Sequence, residues 1–128
     1  MQITPKTTYA VRCMVYLKDH PGKLSNLEAI STGTLIPQPF LSKILQNLTK
    51  SGLIRSAKGK KGGFMLAFSP ERINLYDIVR ETSLGKAILK TNCGNCSCQD
   101  DACPVLPVWT DLEKALKVQL SSRKLSQL

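Results

Sequence analysis

Cysteine is the residue type in this 128-residue chain whose number and spacing point most clearly to chemistry. Four of the five cysteines, Cys93, Cys96, Cys98 and Cys103, lie within eleven consecutive residues. Thiolates are soft ligands that bind zinc and iron-sulfur clusters. A zinc site built from Cys-x-x-Cys knuckles would require a second pair that the chain lacks, and the single residue between Cys96 and Cys98 strains a compact tetrahedral site.

An iron-sulfur cluster accommodates irregular cysteine spacing more easily, because its irons are spread over a few ångströms. We therefore expect an iron-sulfur cluster at these four cysteines, with zinc or metal-free redox thiols as the alternatives. The fifth cysteine, Cys13, lies on an apolar stripe of helical spacing. It is expected to be a small core residue rather than a ligand.

The composition is that of one globular domain, with 42% hydrophobic and 21% charged residues. Residues Met1 to Lys6 contain no basic region followed by an apolar stretch, so we expect no secretory signal and a cytoplasmic location. Disulfides are rare in that compartment, which favours metal or redox chemistry for the crowded thiols. No window approaches the roughly eighteen apolar residues of a membrane span, so no membrane partner is expected.

Positive charge is concentrated in the first half of the chain, although the net charge of the whole is +9. Residues 1–68 carry ten basic and two acidic side chains, a net charge of +8, whereas residues 69–128 carry eight basic and seven acidic ones. No acidic residue occurs between Ala29 and Ser69. The usual electrostatic partner of such a region is a polyphosphate, although a merely solubilising surface is the alternative.

Three helices are predicted in the first fifty-two residues. Thr4 followed by Pro5 is typical of a helix start. Ser25 and Glu28 fit a capping box that opens a short second helix. A third, amphipathic helix is expected to end at Gly52. Its predicted apolar face consists of Phe40, Leu41, Ile44, Leu45 and Leu48.

Two short strands, residues 53–57 and 64–68, are predicted after the third helix. The loop between them consists of three lysines and three glycines, and we call the hairpin with this loop the wing. A glycine-rich phosphate cradle of the nucleotide-binding kind is excluded, because a strand rather than a helix follows the loop. A further helix is expected to open at Asn74 or at Ser69-Pro70 and to stop near residues 83–85.

Three helices followed by a basic hairpin have the order of a winged helix-turn-helix, which binds double-stranded DNA. The third helix would enter the major groove, and the wing lysines would lie near phosphates. The expected DNA-binding residues are Gln38, Pro39, Ser42 and Lys43 on the helix and Lys58, Lys60 and Lys61 in the wing.

An amphipathic final helix is predicted from Pro104 onward, and it has more apolar surface than a small domain needs. We expect it to be a dimerisation helix, with packing on its own domain as the alternative. The expected fold is thus mainly α with a small β-hairpin. The expected domains are a winged helix-turn-helix at 1–84, a cluster-binding loop at 85–103 and a dimerisation helix at 104–128.

Several stretches together resemble the Rrf2 family of bacterial transcription regulators, which includes an IscR branch and an NsrR branch. The resemblance rests on the opening Met1-Gln2-Ile3-Thr4 with Tyr9-Ala10-Val11-Arg12, on the stretch from Phe40-Leu41 to Gly52-Leu53-Ile54, on the wing from Lys58 to Leu66, and on the cysteine loop that ends at Cys103-Pro104 with Trp109 after it. It covers almost the whole chain, and the wing and cysteine motifs are specific in combination.

The resemblance implies a homodimeric regulator, expected to be a repressor, with Cys93, Cys98 and Cys103 as ligands of a two-iron or four-iron cluster. In the IscR branch a histidine lies three residues after the third cysteine, where this chain has Leu106. The fourth ligand would then be the additional Cys96, or a non-thiolate group from the other subunit as in the NsrR branch.

Cluster control of DNA affinity is the resulting hypothesis. Binding of the cluster would fix residues 93–103. This would in turn fix the spacing of the two DNA-reading domains, one in each subunit, on a palindromic operator. The alternatives are a DNA-binding regulator with metal-free redox cysteines or structural zinc and, less favoured, an iron-sulfur electron-transfer protein. No enzymatic activity is expected, because the single histidine, His20, lies beside a turn and no hydroxyl nucleophile is paired with a base.

Overall fold

The computed structural model describes residues 4–82 and 104–128. It confirms a mainly α fold with one two-stranded antiparallel hairpin. The elements in chain order are α1 (Pro5–Lys18), α2 (Leu27–Thr34), α3 (Gln38–Ser51), β1 (Ile54–Ala57), β2 (Gly63–Leu66), α4 (Leu75–Thr82) and α5 (Leu106–Ser122). Short 3-10 turns cover Pro70–Arg72 and Leu125–Gln127.

The helix boundaries follow local capping chemistry. The Thr4 side chain accepts a hydrogen bond from the Thr7 amide at 3.3 Å, and Pro5 occupies the first turn of α1, as predicted. Gly52 ends α3 in the left-handed region at φ 82°, a conformation that glycine adopts without a Cβ penalty.

The predicted capping box of α2 is wrong. Asn26 is the cap, and its Oδ1 accepts a hydrogen bond from the Ala29 amide at 2.8 Å. Ser25 is instead buried, and its backbone pairs with Phe64 of the wing through N···O distances of 3.0 and 2.8 Å. Serine and asparagine cap helices about equally well, so this tertiary pairing decides which of the two neighbours becomes the cap.

The wing hairpin pairs Ile54 with Leu66 and Ala57 with Gly63. It is joined to the start of α2 by the Ser25–Phe64 pairing. Gly63 permits this close approach, because a Cβ at that position would lie 2.5 Å from the carbonyl oxygen of Ser25. The wing is therefore fixed to the helical part of the domain.

The core lies between α1, α2, α3 and α4, and it includes Cys13, which is buried as predicted. On α3 the side chains of Leu41, Ile44, Leu45 and Leu48 are buried. Phe40 is not, because it lies at the edge of the apolar face and 61% of its surface is exposed. Its predicted place in the core is therefore wrong.

Of the two predicted starts for α4, Asn74 is the one that the structure uses. The Asp77 amide donates to Asn74 Oδ1 at 2.9 Å, whereas Pro70–Arg72 forms a separate 3-10 turn. The end of the chain returns to this region, since the Leu125 amide donates to the Ile73 carbonyl at 2.8 Å. The Leu125 side chain is completely buried in the core.

Helix α5 begins at Leu106, two residues after the predicted start, and buries none of its side chains completely. Its exposed apolar residues include Val108, Trp109, Leu112 and Val118. No helix within residues 4–82 and 104–128 combines the length and the apolar character that crossing a bilayer requires.

Candidate nucleic-acid interface

Helix α3 buries one side in the core and exposes the other to solvent. The exposed side presents Pro39, Lys43, Gln46 and Lys50 in successive turns. Gln38 is exposed at the first turn, and Ser42 is half-buried at the flank. The residues expected from the sequence on this helix thus share one accessible surface, and Gln46 extends that surface by a further turn.

The first turn of α3 offers few backbone donors. Pro37 is the cap residue and makes no side-chain capping bond, and Pro39 has no amide hydrogen. The amides of Phe40 and Leu41 both donate to the Pro37 carbonyl, at 3.1 and 3.0 Å. Hydrogen bonds from this turn to a ligand must therefore come mainly from side chains, of which Gln38 is the nearest.

Exposed apolar side chains surround this turn, a feature that the sequence pattern did not reveal. Leu35 lies in the connection between α2 and α3, where 81% of its surface is exposed. Its φ of 59° places it in the left-handed region, which is strained for a residue with a Cβ. With Phe40 it gives the tip of the helix-turn-helix an apolar character suited to thymine methyl groups or to sugars.

The wing presents the second group of expected residues. Lys58, Lys60 and Lys61 are all exposed in the loop between β1 and β2. The loop is closed by a hydrogen bond from the Gly62 amide to the Gly59 carbonyl at 3.0 Å. Three ammonium groups therefore project from one tight turn.

No carboxylate neutralises these lysines within the described ranges. The ion pairs found there are Lys18–Asp19 at 3.4 Å and Arg80–Glu81 at 3.0 Å, and neither involves α3 or the wing. The surface formed by the exposed side of α3 and the wing, here called the basic face, is therefore positive and free to bind an anion.

The four clustered cysteines lie outside the described residues. Residues 4–82 and 104–128 by themselves contain no group of three or more histidine, cysteine or acidic side chains that could hold a metal ion. Burial raises the pKa of the Cys13 thiol to about 12, which keeps it protonated at neutral pH. Cys13 is thus a poor ligand and a poor nucleophile, and thiol chemistry in this chain falls to Cys93, Cys96, Cys98 and Cys103.

A helix-turn-helix followed by an anchored hairpin defines a winged-helix protein. The chain matches the Rrf2 family model, described as an iron-dependent transcriptional regulator, over residues 3–128. The chain therefore belongs to the Rrf2 family. Proteins of this family are described as transcriptional regulators rather than as enzymes, in agreement with the expectation that this chain has no enzymatic activity.

Individual relatives agree with this assignment. The transcriptional regulator NsrR of Halalkalibacterium halodurans is 40% identical over 83 residues, which cover 64% of this chain and 57% of the relative. The matches to the first curated relatives span about half of those proteins' length, at 53%, 49% and 57%.

Solved structures show the same fold. IscR of T. potens superposes with a TM-score of 0.79 at 26% identity, covering 99% of this chain and 85% of that one. CymR, the global cysteine regulator of B. subtilis, superposes with a TM-score of 0.74 at 23% identity, covering 99% and 95% of the two chains.

Proposed function

We propose that this protein is a DNA-binding transcription regulator that acts as a homodimer on a palindromic operator and represses transcription from it. The observation that carries the proposal is the basic face. Lys43, Lys50 and the three wing lysines are exposed there, and no acidic residue occurs between Ala29 and Ser69.

The two parts of the basic face match two parts of a DNA duplex. An α-helix fits the major groove, where Gln38, Ser42 and Gln46 can exchange hydrogen bonds with base edges. Lysines at 58, 60 and 61 add charge without reading sequence, so they suit the phosphate backbone. The fixed attachment of the wing to α2 then sets the distance between the two contacts.

Selection from a pool of random-sequence duplexes tests the proposal. Purified protein is expected to enrich an inverted repeat whose half-sites are about one helical turn apart, because a two-fold dimer places its two reading helices at that spacing. A gel shift with the enriched duplex then measures affinity. Failure to retain or enrich any duplex would reject DNA binding.

Homodimer formation is supported by α5. Val105, Val108, Trp109 and Leu112 form an exposed apolar strip at helical spacing. Contiguous exposed apolar surface of this kind is typical of a protein interface, and the same strip on a second copy of the chain would cover it.

The proposed cofactor is an iron-sulfur cluster, of two-iron or four-iron type, held by Cys93, Cys98 and Cys103. The donor chemistry fits, since thiolates are the usual cluster ligands. Leu106 is the first residue of α5 and offers no donor atom, so the fourth ligand would be Cys96 or a non-thiolate group of the other subunit. Bound at these thiolates, a cluster would supply sensitivity to oxidants and to iron supply.

The described residues on either side of residues 83–103, which contain the four clustered cysteines, contact the DNA-binding part of the protein. At one end, Thr82 is buried, and its hydroxyl donates to the Thr7 hydroxyl at 3.1 Å. At the other end, α5 leads into Leu125, whose side chain lies in the core. A change in the path of residues 83–103 would therefore alter how α5 holds the two DNA-reading domains apart, and hence their affinity for a palindrome.

Anaerobic purification with iron and sulfide quantitation tests the cofactor. We expect both elements and a visible absorption band, and we expect Cys103→Ala to lose both while a Cys13→Ala control retains them. Operator affinity is then compared with and without reconstitution. Zinc without sulfide would favour a structural zinc site, and a colourless, metal-free protein with oxidant-dependent binding would favour redox thiols. Equal affinity in every state would reject a cluster-controlled switch.

A further inference from the structure

A solvent-open groove of about 550 Å³ lies between the first turns of α1 and the flank of α3. It is lined by Pro5, Lys6, Tyr9, Phe40, Lys43, Ile44, Gln46 and Asn47. The groove adjoins the basic face, because Lys43 belongs to both. Any role of the groove in binding DNA therefore rests on the proposed function and adds a contact to it.

The groove combines an apolar side with positive charge. The exposed ring of Phe40 forms part of its wall, and Lys6 and Lys43 line it from the two helices. No acidic side chain lines it, and within the described ranges neither lysine has a carboxylate within 4.0 Å. An apolar ring beside two ammonium groups is complementary to a deoxyribose that carries phosphates.

A second groove, of about 240 Å³, lies at the other end of α3 and provides a contrast. It also contains an exposed ring, Phe68, and two cationic side chains, Arg72 and Arg80. Here the charges are engaged, because Arg80 pairs with Glu81 at 3.0 Å and the Arg72 guanidinium lies 5.4 Å from the Phe68 ring centroid. Asp77 lines this groove as well, so it has no net attraction for an anion.

We propose that the groove between α1 and α3 binds the sugar-phosphate backbone of the duplex next to the major-groove site. Lys6 pairs with a phosphate, and Phe40 packs against the adjoining deoxyribose. Each protomer then contacts the backbone through α1 as well as through the wing. This second contact restricts the angle at which α3 enters the major groove.

Lys6 is tested through the salt dependence of binding to a mixed-sequence duplex of about 30 base pairs, roughly three helical turns. Each phosphate contact contributes about 0.9 to the slope of log affinity against log salt concentration. Lys6→Gln is expected to lower the slope by about this amount per bound protomer, and Lys6→Arg is expected to restore it. The control Lys114→Gln removes an equal charge from the exposed surface of α5 and should leave the slope unchanged.

Phe40 is tested in the same assay. Loss of its apolar contact in Phe40→Ala is expected to weaken binding about five- to tenfold without changing the salt slope. The matched control is Phe68→Ala, which removes an exposed ring from the second groove and should leave affinity within about twofold. Thermal unfolding of all variants verifies that the fold is retained.

The possible results separate the two proposals. A wild-type salt slope in Lys6→Gln, or an equal decrease in Lys114→Gln, would overturn the groove contact while leaving DNA binding intact. Equal weakening by Phe40→Ala and Phe68→Ala would also overturn it. Absence of any duplex binding by the wild-type protein would reject the proposed function itself.

Discussion

The two parts of the molecule that the structure describes differ in how they cover their apolar surface. Residues 4–82 enclose a core whose buried apolar side chains extend from Ala10 to Ile78, and Leu125 is the one addition from residues 104–128. Helix α5 encloses nothing and keeps Val108, Trp109 and Val118 exposed. A sequence with similar hydrophobic content in both parts therefore builds most of a closed core in one part and leaves an exposed apolar surface on the other.

This difference indicates that the two parts have different roles. The head, residues 4–82, must keep α3 and the wing in a constant relation in order to read DNA, and a closed core provides that rigidity. Helix α5 packs on α4 of the head, where the Lys117 ammonium lies 5.4 Å from the Tyr76 ring centroid, and the tail after it enters the core at Leu125. The apolar side chains of α5 that face away from the head stay exposed. In the proposed switch, regulation would therefore act through α5 rather than within the head.

The largest effect is expected from breaking the link between the two parts. Leu125→Ala leaves a cavity in the core and should lower the free energy of unfolding by about 3 kcal/mol. Urea denaturation measures this change. Leu128→Ala, which truncates a partly exposed leucine three residues later, should cost less than about 1 kcal/mol. Similar losses for the two variants would contradict the docking of the tail in the core.

A second effect should be confined to α5. Leu112→Lys places a charge in the exposed apolar strip and should weaken dimerisation about a hundredfold, because the ammonium group would be buried without a partner. Sedimentation at several protein concentrations measures the dimer dissociation constant, with Lys114→Gln as the control on the same helix. An unchanged dimer dissociation constant in Leu112→Lys would show that the strip is not the interface. A decrease in the unfolding free energy of the head as large as the loss of dimerisation would show the same.

The smallest effect concerns the core thiol. Burial raises the pKa of Cys13 from 9.0 to about 12, so the unfolded chain loses this proton at lower pH than the folded one does. The stabilisation of the folded state that results from this difference in pKa is complete below pH 9, and it is lost as the pH rises toward 12. Between pH 8 and pH 10 the wild-type protein should lose about 1 kcal/mol more than Cys13→Ala does, as measured by urea denaturation. Parallel pH profiles would indicate that the thiol is accessible to water.

Much of this architecture follows from local sequence patterns. The helical spacing of apolar residues, the Thr4-Pro5 start and the Gly52 stop predict α1 and α3 closely, because each depends on interactions within a few residues. The lysines and glycines between the strands likewise predict the exposed wing, since such a loop has little to bury.

Three features could not be predicted, because they depend on contacts distant in sequence. Ser25 and Asn26 are equivalent caps until Phe64 pairs with Ser25. Phe40 lies at the edge of a helical face, where periodicity does not decide between core and groove. Leu125 lies in a short polar segment without periodicity, and its burial depends on the pairing with Ile73. The groove between α1 and α3 arises from the same kind of long-range packing.

The most direct measurement of the central claim, that the basic face binds duplex DNA, is the salt dependence of binding by a variant in which Lys58, Lys60 and Lys61 are all alanine. We predict that the slope of log affinity against log salt concentration falls by up to about 0.9 for each lysine removed. A control that replaces Arg72, Lys114 and Arg123 removes the same charge elsewhere and should keep the wild-type slope. Equal slopes for the two triple variants would contradict DNA binding by the basic face.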